Sequence, residues 1–158
     1  MNKTLYLTRA SIIAALYVVL TLIANSLGLA NHAIQIRFSE ALTILPIFTP
    51  AAVPGLFIGC MLSNILTGCM PPDILFGSIA TLLGALGTRT FRKRKGLGIL
   101  CPVLANTLII PFVLAFVYHF EGSLWYFAFT VCAGEIISCG ILGTLLMRLL
   151  KPYAKYLF

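Results

Sequence analysis

Charged residues are scarce in this sequence, and acidic residues are scarcer still. Only 9% of the 158 residues are charged and four are acidic, whereas 60% are hydrophobic and the mean hydropathy is +1.03. Ordinary soluble domains carry roughly 25% charged residues, so the composition excludes a soluble domain and indicates an integral membrane protein. A bilayer core takes roughly 20 apolar residues per helix, which leaves room for five or six spans in a single membrane domain over residues 1–158.

Motifs for catalysis and metal binding are also missing. The sequence has no GxxxxGK[ST], HExxH or GxSxG pattern, which excludes P-loop ATP hydrolysis and disfavours a membrane hydrolase. Its five cysteines are odd in number and show no CxxC spacing, which argues against disulfides and zinc. We therefore predict no enzyme activity, no cofactor and no metal. The net charge of +7 comes from clusters beside apolar segments, as in cytoplasmic loops, so we expect a lipid bilayer and no nucleic acid as partner.

Positive charge also resolves an ambiguous stretch between residues 39 and 67. This stretch contains Pro46, Pro50 and Pro54, so it could be one kinked helix or two short ones. Two crossings place ten of the eleven lysines and arginines in the cytoplasm and leave only Arg37 outside. We therefore predict an all-α protein with six transmembrane helices and with both the N and C termini cytoplasmic. The predicted helices are 7–29, 39–49, 53–67, 74–88, 99–118 and 124–149.

Two polar residues are predicted to lie near the middle of the membrane. A carboxylate inside an apolar helix costs about 2.5 to 3.5 kcal/mol unless it is paired or faces a cavity. Glu135 lies roughly 16 Å and Asn106 roughly 18 Å below the outer ends of their helices, at 1.5 Å per residue. Both could line a binding site. Alternatively, Glu135 could be a protonated acid bonded to a neighbouring helix, and Asn106 could form an interhelical hydrogen bond.

Other polar and aromatic residues lie closer to the predicted outer surface. Arg37, Glu40 and Asn64 could form the rim of an outward cavity, although Arg37 and Glu40 could instead form a local ion pair, and Asn64 could bond another helix. Trp125 begins the last helix, where an aromatic belt is the alternative to a binding role. Ala10 and Ala14 form a stripe of small residues that a partner helix could approach closely, or that could pack within the bundle.

The segments QIRFSEALTILPIF (35–48) and CAGEIISCGILG (132–143) carry a family resemblance, together with the basic loop between helices 4 and 5. With six short helices and the alanine stripe, the chain resembles the QueT family. These are substrate-binding S components of bacterial energy-coupling factor (ECF) transporters, assigned to uptake of queuosine precursors at the cell membrane. The resemblance implies an S-component bundle and ligand capture from outside. It also implies a transmembrane coupling protein and two ATPase subunits as partners, with Ala10 and Ala14 at the coupling protein and residues 28–37 helping to close the site.

The ligand implied by this resemblance is a 7-deazaguanine, such as queuine or its aminomethyl precursor. Its N1–H and 2-amino group suit a carboxylate, for which Glu135 is the candidate, and a cationic amine on its 7-substituent suits Glu40. Asn64 and Asn106 suit O6 and the ring nitrogens. The candidate substrate-binding residues, including possible stacking partners, are Arg37, Phe38, Glu40, Asn64, Asn106, Trp125 and Glu135. The alternatives are an S component for another vitamin or heterocycle, and a solitary channel or facilitator.

Overall fold

The computed structural model describes residues 2–28 and 36–154, and within these ranges the chain is helical with no strand. The six helices are α1 (Lys3–Ser26), α2 (Phe38–Ile47), α3 (Ala52–Leu66), α4 (Pro71–Thr90), α5 (Lys95–Phe116) and α6 (Leu124–Leu150). Three of them, α1, α5 and α6, are long and apolar enough to cross a bilayer. The predicted all-α fold with six helices is confirmed. Most of the predicted closing loop, residues 29–35, lies outside the described residues.

Helix α2 lies at the centre of the bundle. It is a 3₁₀ helix of ten residues with Pro46 inside it, and Ser39 to Pro46 are all buried. It packs against all five other helices. Because 3₁₀ runs beyond three or four residues are uncommon and rise about 2.0 Å per residue, this segment is unusually thin and extended. Since α2 ends at Ile47 and α3 begins at Ala52, the ambiguous stretch forms two short helices.

The small residues of α1 pack inside the bundle. Ala10 and Ala14 are buried, and their backbone carbonyls face Gly55 and Gly59 of α3. A Cβ atom added at Gly59 would lie 2.7 Å from Cβ of Tyr17 and 3.0 Å from the carbonyl oxygen of Ala14. In this conformation the stripe serves the internal packing that the sequence allowed as an alternative. A partner helix would reach the exposed neighbouring face, which carries Ser11 and Ala15.

Helix α6 changes its winding in the middle. It is α-helical over Leu124–Glu135, π-helical over Ile136–Leu142 and α-helical again over Gly143–Leu150. The wider turn begins directly after Glu135, and Ser138 and Cys139 within it contact the segment around α2. Such π-helical turns inside α-helices occur frequently at functional sites.

Because successive helices run in opposite directions, the described basic clusters and the cavity lie at opposite ends of the bundle. The C-terminal ends of α1, α3 and α5 meet the N-terminal ends of α2, α4 and α6 around one cavity. Lys3, Arg148 and the basic run Arg92–Lys95 belong to the opposite helix ends. There Nη1 of Arg89 donates a hydrogen bond to the carbonyl oxygen of Pro46 at 3.1 Å. The cytoplasmic location of the basic end stays a prediction.

We expect Gly59→Val to destabilise the protein, because its Cβ would overlap with Tyr17 and Ala14. Overpacking of this kind costs about 1–3 kcal/mol. Thermal unfolding in detergent measures the effect, and Gly96→Ala is the matched control because a Cβ at Gly96 meets nothing within 4 Å. Equal unfolding temperatures for the parent and Gly59→Val would contradict this account of the α1–α3 interface.

Candidate functional site

A cavity of about 710 Å³ lies at the end of the bundle away from the basic clusters. This volume falls within the roughly 300–1,000 Å³ typical of small-molecule sites. Its polar lining includes Arg37, Asn64, Asp73 and Tyr118, and apolar walls come from α5 and α6. The cavity can therefore enclose a small polar molecule.

A second, much smaller pocket adjoins the first. Its volume is about 20 Å³, and its lining is Arg37, Asn106, Ile110, Val131 and Glu135. Arg37 and Ile110 line both spaces, so the small pocket, called the recess below, is a direct neighbour of the large cavity. A recess of this size holds about one water molecule or one exocyclic amine.

Two buried carboxylates meet beside this recess. One oxygen from each of Glu40 and Glu135 and the sulfur of Cys139 all lie within 4.8 Å of one another. Tyr17 donates a hydrogen bond to Oε1 of Glu40, and Cys139 donates one to Oε2 of Glu135 at 3.1 Å. Among the described residues, Oε2 of Glu40 has no hydrogen-bond partner. Since like charges this close repel each other, the pair favours a proton or a cationic neighbour.

Arg37 is a cation whose charge acts on both of these acids. It precedes α2, and its backbone N–H donates to Oγ of Ser138 at 3.2 Å, which ties it to the π-helical turn of α6. Its guanidinium is attracted by the charges of Asp73 and Glu40 and acts on Glu135 as well. Arg37 therefore balances part of the negative charge around both pockets.

Asn106 lies beside Glu135 in the recess. Its Nδ2 is buried and has no acceptor with hydrogen-bonding geometry among the described residues, although the amide is close enough to Glu135 to interact with it. A buried amide donor left without a partner costs about 1–3 kcal/mol. A ligand that offers an acceptor here would recover that cost.

Asp73 lines the large cavity and is 7% exposed. An aspartate directly after the run MPP suits the N-cap of a helix, and from the sequence alone Asp73 would be expected to cap α4. This expectation is wrong, because the N-cap is Met70 and no side chain caps it. Instead, Oδ2 of Asp73 accepts a hydrogen bond from the Tyr118 hydroxyl at 2.8 Å. Burial raises the pKa of Tyr118 above its ordinary value, and the hydrogen bond to Asp73 adds to this effect. Tyr118 therefore remains a protonated donor at neutral pH.

Glu40, Glu135 and Cys139 form a cluster of potential metal ligands. Two carboxylates and a thiol are metal-ligand types, and these three groups are close enough to share an ion. However, Tyr17 already occupies one oxygen of Glu40, and the positive charge of Arg37 acts on both carboxylates. These features favour an organic ligand with hydrogen-bond donors over a divalent cation.

The structure brings most of the predicted site residues together, with two exceptions. Arg37 and Asn64 line the large cavity, and Asn106 and Glu135 line the recess. Glu40 lines neither pocket, but one of its oxygens lies within 4.8 Å of a Glu135 oxygen. Trp125 and Phe38 line neither pocket. Trp125 is 86% exposed, because α6 is rotated so that its neighbours face the cavity. The aromatic residues of α6 in the cavity wall are Tyr126 and Phe127.

Sequence reasoning missed four polar residues at or beside the site. These are Tyr17, Asp73, Tyr118 and Cys139. Tyr17 follows Ala10 by seven residues on the buried face of α1. This helical spacing could have predicted that the Tyr17 side chain points into the bundle. The contacts of Asp73 and Cys139 depend on helix rotation, which the sequence does not specify.

Comparison with known proteins identifies the family. The family model described as QueT transporter matches residues 7–152, which is most of the chain. The chain belongs to the QueT transporter family. A curated protein of Lactococcus lactis subsp. cremoris (strain MG1363), named queuosine precursor transporter QueT, is 34% identical over 95 residues. That alignment covers 60% of this chain and 56% of the relative. No solved structure matches the chain.

We expect Tyr17→Phe to destabilise this member of the QueT family, because it removes the hydroxyl that donates to buried Glu40. An unpaired buried acceptor costs about 1–3 kcal/mol, and more when it is charged. Thermal unfolding in detergent should show a clear decrease for Tyr17→Phe. The decrease should be much smaller in a Glu40→Gln background, where no charge is left unpaired. Tyr126→Phe, at an exposed ring, is the control, and equal effects of Tyr17→Phe in both backgrounds would contradict the proposed pairing.

Proposed function

We propose that this protein is the substrate-binding membrane subunit of an ATP-driven ECF-type importer and captures a queuosine precursor from outside. Its membership of the QueT transporter family supports this proposal, as does the similarity to a protein named queuosine precursor transporter. The observation that carries the substrate assignment is the recess, where the Glu135 carboxylate lies beside the buried Nδ2 of Asn106, which has no acceptor in good hydrogen-bonding geometry.

The recess is complementary to one edge of a 7-deazaguanine. Along that edge O6 is an acceptor, whereas N1–H and the 2-amino group are donors. Nδ2 of Asn106 supplies a donor for O6, and the Glu135 carboxylate accepts from the two adjacent N–H groups. Because the recess has a volume of only about 20 Å³, it admits the amino group while the rings remain in the large cavity. There the side chains of Tyr126 and Phe127 offer aromatic contact.

The position of the cavity suits capture from outside. It lies at the helix ends opposite the basic clusters. If the basic end is cytoplasmic, as the positive-inside bias predicts, the cavity faces the exterior.

Energy for uptake would come from separate subunits. The sequence contains no P-loop, so ATP hydrolysis requires partner ATPases, and a transmembrane coupling protein would connect them to this chain. Because Ala10 and Ala14 are buried against α3, the exposed face of α1 with Ser11 and Ala15 is the better candidate for the coupling contact in this conformation.

We expect queuine and its aminomethyl precursor to stabilise the purified protein most strongly. Guanine presents the same edge but lacks the 7-substituent, so it should stabilise the protein less, and vitamins such as thiamine should not stabilise it. A ligand at a hundredfold excess over its Kd adds about 2.7 kcal/mol. Glu135→Gln should weaken binding by roughly tenfold or more, because it replaces an acceptor with a donor that opposes the ligand's own donors. Thermal-shift titration in detergent measures both effects.

Glu121→Gln is the matched control, since Glu121 lines the same cavity but is exposed. Unchanged affinity in Glu135→Gln would refute the role of the recess. Stabilisation by a vitamin and by no 7-deazaguanine would retain a binding subunit but discard the substrate.

We also expect the protein alone in vesicles to bind ligand without sustained uptake. Radiolabelled aminomethyl precursor should accumulate only after co-reconstitution with a coupling protein and two ATPases in the presence of ATP. Accumulation by the chain alone would instead identify a facilitator.

A further inference from the structure

The acids of this chain are concentrated around the cavity. Asp73 and Glu121 line it, Glu135 lines the recess, and Glu40 lies within 4.8 Å of Glu135. These are the four acidic residues of the whole sequence. Glu40, Asp73 and Glu135 carry three formal negative charges, and Arg37 beside them carries one positive charge. Even when Glu40 and Glu135 hold one proton between them, as their proximity favours, the three acids exceed Arg37 by one negative charge. This surplus favours a cationic ligand over a neutral one of the same shape.

Asp73 is held as a binding group on the cavity wall. It is more than nine-tenths buried, and Oδ2 accepts from Tyr118. The Tyr118 oxygen in turn accepts from the backbone N–H of Met70 at 3.2 Å, which fixes the direction of its own hydroxyl proton. Among the described residues the Asp73 side chain has no other hydrogen bond in view. Its Oδ1 lies 3.5 Å from the position of a Cβ built at Gly77, where Nδ2 of Asn64 lies at 3.1 Å, and both side chains line the cavity.

The shape of the ligand determines where its cation lies. In a 7-deazaguanine the edge that carries N1 and the 2-amino group is at one end of the bicyclic base, and the 7-substituent leaves from the other ring. With the first edge at Glu135, the 7-substituent extends out of the recess into the large cavity. The first turn of α4 and the segment after α5 form the wall there.

We propose that Asp73, oriented by Tyr118, binds the cationic amine on the 7-substituent and makes the site selective for 7-aminomethyl-type deazaguanines over neutral analogues such as the 7-cyano compound. This inference rests on the proposed function. An alkylamine like that of lysine is protonated at neutral pH, so the contact is a charge-assisted hydrogen bond.

Neither of the other two acids outside the base contact suits this role as well. Glu40, assigned to the amine from sequence, is 1% exposed, lines neither pocket and is occupied by Tyr17. Its charge attracts Arg37, as that of Asp73 does, and one of its oxygens lies within 4.8 Å of a Glu135 oxygen. Glu121 lines the cavity but is exposed, where solvent weakens its attraction for a cation.

The test compares two ligands that share the same base. The Kd values of the 7-aminomethyl and 7-cyano compounds are measured by calorimetry on the purified protein and on Asp73→Asn, Tyr118→Phe, Glu121→Gln and Glu135→Gln.

The parent should prefer the aminomethyl compound by roughly ten- to a hundredfold. Asp73→Asn should remove most of this preference while leaving the Kd of the cyano compound nearly unchanged, which also reports an intact fold. Tyr118→Phe should retain most of the preference because the carboxylate remains, and Glu121→Gln should retain all of it.

Two results would overturn the inference. One is equal affinity of the parent for both ligands, and the other is a Kd ratio in Asp73→Asn that matches the parent, including the case where both ligands are weakened equally. Failure of the proposed function looks different, because the parent would then bind neither compound or Glu135→Gln would bind both normally.

Discussion

The burial of carboxylates inside an apolar bundle is the constraint on which the site depends. Glu40 and Glu135 are nearly inaccessible and have oxygens within 4.8 Å of each other, so each needs compensation that water cannot supply. Tyr17 and Cys139 provide hydrogen bonds, and Arg37 provides positive charge. The thin 3₁₀ helix α2 and the π-helical turn of α6 place these groups together. The two departures from ordinary α-helical winding thus occur beside the proposed site.

This arrangement links ligand binding to local electrostatics. Two features of the cavity region favour a bound ligand. One is a buried donor, Nδ2 of Asn106, without an acceptor in good hydrogen-bonding geometry, and the other is an excess of negative charge. A base with an acceptor and two donors on one edge and a cation at its far end would satisfy both. On this account a neutral vitamin of similar size could pair with the Asn106 donor but not with the excess negative charge. The site would therefore select the cationic base without a large number of contacts.

Much of this fold follows from composition, whereas the site depends on features that composition does not specify. Low charge and long apolar segments predict helices in a membrane, and the prolines with the positive-inside bias divide 39–67 into two helices. Similar depth in the membrane led to Asn106 and Glu135, which the structure places in one recess. Helix rotation was not predictable: it turns Trp125 outward and Phe127 inward. Nor did the residues after Met70 reveal that Asp73 bonds Tyr118 instead of capping α4, because that partner is distant in sequence.

A ligand-bound experimental structure with the 7-aminomethyl deazaguanine would test the account most directly. We predict that the N1 and 2-amino edge contacts the Glu135 carboxylate, that O6 contacts Nδ2 of Asn106, and that the amine lies at Asp73. A reversed base with the amine at Glu135, or a ligand that occupies neither the recess nor the large cavity, would contradict it.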